Sequence, residues 1–155
     1  MNLPALNQPA PDFRTVNQRG EAVNLAALKG KKVLLYFYPK AMTPGCTTQA
    51  CGLRDSLAAF TARNCVVLGI SPDAPERLQK FIERDQLNFD LLADEDHEIA
   101  QNYGVWGLKK FMGREYEGVH RISFVIDELG VLRHIMDNVT TKTHHDDAIA
   151  LLDRL

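Results

Sequence analysis

The stretch Pro39-Lys40-Ala41-Met42-Thr43-Pro44-Gly45-Cys46-Thr47-Thr48-Gln49-Ala50-Cys51 holds the residues of this chain best suited to covalent chemistry. A helix beginning at Pro44, with Thr43 capping it through its hydroxyl, puts Cys46 in the first turn; proline suits the opening position because its missing N–H would be unbonded there anyway. Free N–H groups and the positive end of the helix dipole then favour thiolate over thiol, so Cys46 is the candidate nucleophile. A thiolate so placed attacks a peroxide oxygen, becoming a sulfenic acid while an alkoxide or hydroxide leaves. The departing oxygen needs fixed donors. The Thr43 hydroxyl, the backbone N–H groups of the turn and the guanidinium of Arg121 are the expected ones, Arg121 standing at the start of an apolar run over residues 119–126. Pro39, rigid and without an N–H, is expected to close one side of the pocket against water. Cys51 supplies a second thiol, whose condensation with the sulfenic acid gives an intramolecular disulfide that an external dithiol reduces.

These residues need a frame. Residues 33–38, Val-Leu-Leu-Tyr-Phe-Tyr, read as a buried strand leading into the loop, and after Gly45 the apolar positions Leu53, Leu57 and Phe60 recur at helical spacing and face a core. Residues 65–70 form a second apolar run, so strand, helix and strand make a right-handed βαβ unit and the sheet is partly parallel. Asp73 and Glu76 read as a capping box for a helix carrying Leu78, Phe81 and Ile82, with Pro75 in its first turn. A short strand at residues 89–92 follows, then a helix that opens on Asp94, Glu95 and Asp96 and ends at Gly104. Residues 105–118 read as a long connection in which Trp106, Phe111 and Met112 pack against the body. Residues 119–126 and 131–136 are expected strands of an antiparallel hairpin, and Ile149, Leu151, Leu152 and Leu155 mark a terminal helix. Residues 1–20 read as an extended lead-in with a short strand near Phe13, followed by a strand at 22–25 and a helical turn at 25–28. The sum is a mixed-sheet, thioredoxin-like α/β layout in one domain over residues 1–155.

Composition narrows the function classes. With 155 residues and 45% hydrophobic content the chain builds a substantial single core. Its 18 basic and 20 acidic residues are interspersed, leaving no basic stripe for nucleic acid and no polybasic membrane patch. No basic leader followed by an apolar segment opens the sequence and no 18-residue apolar run occurs, so a cytoplasmic protein without membrane partner is expected. Three cysteines are too few and too odd a number for a secreted disulfide scaffold, which points to catalytic or incidental use in a reducing compartment. No cofactor or metal is expected.

Pro39-x-x-x-Thr43-x-x-Cys46 followed by Thr47-x-Gln49 resembles the peroxiredoxin active-site motif, and Cys51 five residues on resembles the peroxiredoxin Q, or bacterioferritin comigratory protein, subgroup. The likeness extends to Phe37-Tyr38-Pro39, Tyr103-Gly104-Val105-Trp106-Gly107 and Arg121-Ile122-Ser123-Phe124. It implies that Cys46 is the peroxidatic cysteine, Cys51 the resolving one, Thr43 and Arg121 the activating pair and Pro39 the shield. It also implies hydroperoxide substrates, hydrogen peroxide and organic hydroperoxides alike, and recycling by thioredoxin or a similar dithiol. A monomer or weak dimer is the expected state. Gln49 stands where many peroxiredoxins have Glu.

Plainer readings stand beside these. Cys46 as an inert buried thiol is disfavoured by its polar neighbours; Cys51 as a packing residue and Arg121 as a surface ion-pair partner are live alternatives, and Cys65 reads as core. His144 and His145 read as a solvated helix start, since adjacent helical residues diverge and no third ligand is suitably spaced. Two other functions share a reactive cysteine: a thioredoxin-like thiol-disulfide oxidoreductase, which normally carries Cys-x-x-Cys, and a non-enzymatic redox-sensing module.

Overall fold

The computed structural model describes residues 2–155. A five-stranded mixed sheet forms the centre, in the order β5 (Asp90–Ala93), β4 (Cys65–Ser71), β3 (Lys32–Phe37), β8 (Ser123–Ile126), β9 (Leu132–Met136). β4 and β5 run parallel to β3, whereas β8 and β9 extend it antiparallel. A strand in the middle of such a sheet is covered on both faces and needs apolar residues along its buried length, which β3 offers from Val33 to Phe37. Leu34, Tyr36 and Tyr38 point to one face, packing with Leu53 and Phe60, with Leu78 and Phe81, and with Ala148 and Leu152. Val33, Leu35 and Phe37 point to the other, against Phe13, Leu25, Ile99, Tyr103 and Val119.

The first face is covered by α1 (Pro44–Asp55), α2 (Leu57–Ala62), α3 (Pro75–Asp85) and α5 (His144–Leu152). The single helix expected beyond Gly45 is two, because Ser56 leaves helical geometry between them; Leu53 and Phe60 nonetheless both reach the core, with Leu57 partly buried. The second face is covered by α4 (Glu98–Asn102), by the hairpin β1 (Arg14–Val16) and β2 (Ala22–Asn24), and by a short 3-10 helix (Ala26–Leu28). The buried Asp94 carboxylate caps α4 by accepting the N–H groups of Ile99 and Ala100 at 3.0 and 2.9 Å; Gly104 follows the helix end in the left-handed conformation, at φ +71°.

Three expectations are corrected here. Residues 105–118 are no loose connection but a separate hairpin, β6 (Trp106–Phe111) paired with β7 (Arg114–Val119), and residues 119–126 are therefore not one strand. Phe111 and Met112 do not pack inward: they sit at the hairpin tip, 65% and 87% exposed, while Trp106 stacks on His97 with ring centres 3.8 Å apart. His144 is no solvated residue either. It is fully buried at the start of α5, shares a hydrogen bond with Ser123 across 2.8 Å and lies 5.7 Å from the Tyr36 ring. Burial depresses its pKa from the ordinary 6.5 to about 4. Among the described residues, no helix is long and apolar enough to cross a membrane.

Candidate active site

The loop that leaves β3 is fixed by α3 before it reaches the cysteine. Asp73 accepts the Ala41 N–H at 2.8 Å and the Ser71 hydroxyl at 2.7 Å, while Arg77, 3.2 Å from the same carboxylate, donates to the Ala41 carbonyl at 3.0 Å. Both backbone groups of Ala41 are thus satisfied by neighbouring side chains, as burial demands. This corrects the capping box: α3 is preceded by Ala74, with no side-chain cap, and the Asp73 carboxylate is taken by the loop and by Arg77.

Thr43 occupies the N-cap position of α1 and Pro44 opens the helix. The Thr43 hydroxyl, however, makes no capping bond; it donates backward to the Lys40 carbonyl at 2.8 Å and thereby closes the 40–43 turn. The expected hydroxyl cap is corrected accordingly. Thr47 makes the first bond into the helix, N–H to the Thr43 carbonyl at 2.9 Å, so the N–H groups of Gly45 and Cys46 are left free beside the sulfur. Cys46 is 1% exposed, contrary to the expectation that its polar neighbours keep it at the surface.

Arg121 reaches this sulfur from 75 residues away, Nη2 standing 3.4 Å from Cys46 Sγ. The same guanidinium donates through Nη1 to Gln49 Oε1 at 2.5 Å. Gln49 is fully buried one helical turn beyond Cys46, on the same side of α1. A Cβ at Gly45 would lie 3.5 Å from Arg121 Nη2, so the guanidinium rests directly over the first turn. Arg121 itself belongs to the short segment between β7 and β8, pinned on both sides: His120 N–H bonds to the Val105 carbonyl at 2.8 Å, and Phe37 N–H to the Ile122 carbonyl at 3.0 Å. Lys109, on β6, bonds to the Val119 carbonyl at 2.8 Å; burial, then the nearby Arg121 charge, lower its pKa.

Cys51 lies on the same helix, partly buried, and its thiol pKa is raised chiefly by desolvation. Cys65 is elsewhere. It pairs with Lys32 at the start of β3, whereas the Cys46 loop leaves the strand at Phe37, so five residue rises, roughly 17 Å, separate it from that end of the sheet. Burial pushes its thiol up to about 12. Pro39 is half-buried at the root of the loop, directly after the fully buried Tyr38.

The structure therefore brings together Cys46, Arg121 and Gln49, a motif residue of which no role is expected from sequence, with Thr43, Pro39 and Cys51 on the same loop and helix. Gln49 was within reach of sequence reasoning as the polar residue at i+3 from a reactive thiol; Asp73, Arg77 and Lys109 carry no such local signal. Among the described residues, no group of three or more His, Cys, Asp or Glu is arranged to hold a metal ion.

The AhpC/TSA family model matches residues 6–135. A putative peroxiredoxin Bcp of Haemophilus influenzae is 54% identical over 155 residues, the whole of both chains, and peroxiredoxin Bcp of Escherichia coli K12 is 55% identical over 137 residues, 88% of each. The solved bacterioferritin comigratory protein of Xanthomonas campestris superposes with a TM-score of 0.89 at 26% identity, covering 97% of each chain.

Proposed function

Because the chain belongs to the AhpC/TSA family and is a thiol-dependent peroxidase of the peroxiredoxin Bcp, or peroxiredoxin Q, type, we propose that Cys46 is the thiol that attacks the hydroperoxide. The observation that carries this assignment is the Arg121 guanidinium 3.4 Å from a sulfur at a helix N-terminus. The Cys46 thiolate attacks one peroxide oxygen, the O–O bond breaks, and the other oxygen leaves as alkoxide or hydroxide to be protonated to alcohol or water. Arg121 and the free N–H groups of Gly45 and Cys46 stabilise the charge on those oxygens, Gln49 orients Arg121, Thr43 fixes the turn through Lys40, and Pro39 limits water at the mouth.

Cys51 then attacks the sulfenic sulfur; the S–O bond breaks, the S–S bond forms and water leaves. Its place on the same helix favours it over Cys65, which stands at the far end of β3. A family of this kind uses a hydroperoxide and a thioredoxin-like reductant. We take thioredoxin itself as the reductant, hydrogen peroxide and organic hydroperoxides as substrates, in keeping with the alkyl peroxide reduction activity of the X. campestris protein, and a cytoplasmic, single-domain enzyme over residues 1–155, a monomer or weak dimer. Stopped-flow mixing with hydrogen peroxide tests the assignment: wild type should lose Cys46 thiol rapidly and stoichiometrically. Oxidation as slow as that of free cysteine would instead favour a thiol-disulfide oxidoreductase or a redox sensor.

A further inference from the structure

One side chain of α3 binds the segment on both sides of the Cys46 turn. Arg84 donates through Nη2 to Thr47 Oγ1 at 2.8 Å and through Nη1 to the Met42 carbonyl at 3.5 Å. The guanidinium is itself braced, by Asp85 at 2.8 Å from Nε and by the Phe81 ring 5.9 Å beneath it. Met42 needs such holding: its φ of +67° lies in the left-handed region that residues with a side chain seldom occupy. Neighbouring Ala41 is gripped at both backbone groups by Asp73 and Arg77. All these anchors stand on α3 or just before it.

The resolving step must break this arrangement. Cα atoms five residues apart on a regular helix are roughly 8 to 9 Å apart, and a disulfide spans about 7 Å at most, so a Cys46–Cys51 bond requires the first turns of α1 to unwind. A contact made by the wound turn and lost from the unwound one shifts that equilibrium toward the wound form. Thr47, the residue after Cys46, moves with the turn.

We propose that Arg84 is a positioning residue that sets the rate of the resolving step, by latching the Cys46 turn to α3 until the turn unwinds. The proposal rests on the reading of Cys51 as the resolving cysteine. While the latch is closed, the sulfenic acid stays in the pocket and is open to a second peroxide, which transfers an oxygen to give the sulfinic acid and leaves as alcohol or water. When the latch opens, Cys51 reaches the sulfur and water is expelled. Arg84 thus governs how the sulfenic acid is divided between disulfide and sulfinic acid, without touching peroxide.

The test is rapid-quench mass spectrometry of the full chain after a pulse of hydrogen peroxide, with R84A, T47V, T47S and the double variant R84A/T47V. An exposed guanidinium making one good hydrogen bond and one long one should, on removal, speed disulfide formation roughly three- to tenfold. The peroxide concentration that converts half of Cys46 to sulfinic acid should rise by the same factor. T47V keeps the shape of the turn and removes only the acceptor, so it should share the gain; T47S keeps the acceptor and should behave as wild type; the double variant should gain little beyond R84A. A residue of merely structural importance would lower the melting temperature without moving that division. A mapped Cys46–Cys51 bond forming at the wild-type rate in both R84A and T47V would overturn the latch alone. A wild-type peptide map without that bond would overturn the resolving assignment, and the latch with it.

Discussion

Arg121 is held by Gln49. The bond from Nη1 to Oε1, at 2.5 Å, turns the guanidinium so that Nη2 faces Cys46 Sγ at 3.4 Å. Gln49 is wholly buried behind Arg121, so any effect of changing it should pass through the guanidinium. Removing a donor aimed at developing oxygen charge commonly costs about 10² to 10³ in rate, so R121A should slow Cys46 oxidation by that order. Q49L keeps Arg121 but frees it, and a loss of about tenfold is expected, with Q49E restoring most of the rate through a stronger, charge-assisted bond. Stopped-flow rates within twofold of wild type for R121A would refute the role of the guanidinium.

The two thiols should divide the reaction. C46S should consume no peroxide in excess of background. C51S should consume about one equivalent and stop at a sulfenic acid that dimedone traps. Turnover by C46S at the wild-type rate would move the chemistry to another cysteine.

Unwinding has its own signature. In the reduced protein the amides of residues 46–53 lie in α1 and should resist hydrogen exchange, whereas in the disulfide form they should exchange much faster. Equal protection in both states, alongside a mapped Cys46–Cys51 bond, would rule the unwinding out.

His144 makes stability depend on pH. Unfolded, it titrates near the ordinary 6.5; folded, burial lowers it to about 4. Between those values the unfolded chain binds a proton that the folded one refuses, so stability is full above pH 6.5 and falls as pH drops toward 4, by on the order of 3 kcal/mol. Urea midpoints at pH 7.5 and 4.5 should show this loss in wild type and a smaller one in H144Q, which keeps a partner for Ser123. Identical losses in the two proteins would assign the effect to carboxylates instead.

Gly52 is small for a reason found on α5. A Cβ there would stand 2.5 Å from His145 Nδ1. Alanine gains about 1 kcal/mol over glycine in a helix interior, yet overpacking costs about 1 to 3, so G52A should be net destabilising. Adding H145A should reverse the sign. A more stable G52A single variant, measured by urea unfolding, would show that the ring moves aside freely.

The strand-loop-helix around Cys46 was legible in the sequence because its signals are local. Five apolar residues in a row, Val33 to Phe37, carry β3, Pro44 opens α1, and the helical register then puts Cys46 in the first turn whatever the rest of the chain does. Arg121, 72 residues from Gln49, could be proposed from its type and place but not aimed, since its direction depends on how the 120–122 segment is pinned to Val105 and Phe37. Competition decided other positions. Asp73 and Glu76 have the spacing of a capping box, yet the tertiary fold offers the Asp73 carboxylate a buried backbone N–H and an arginine. Thr43 likewise gave its hydroxyl to Lys40. The β6–β7 hairpin is not legible in the sequence because it turns through Met112 and Gly113, both at positive φ, where Asn-Gly is the usual signal, and because a two-stranded ribbon outside the main sheet buries too little to impose an alternating pattern. His144, amid polar residues, reads as solvated until β8 and Tyr36 are seen to close over it. Chemistry written in one turn of helix is a matter of neighbours in sequence; which distant side chains hold that turn, aim at its sulfur or release it is settled only by packing.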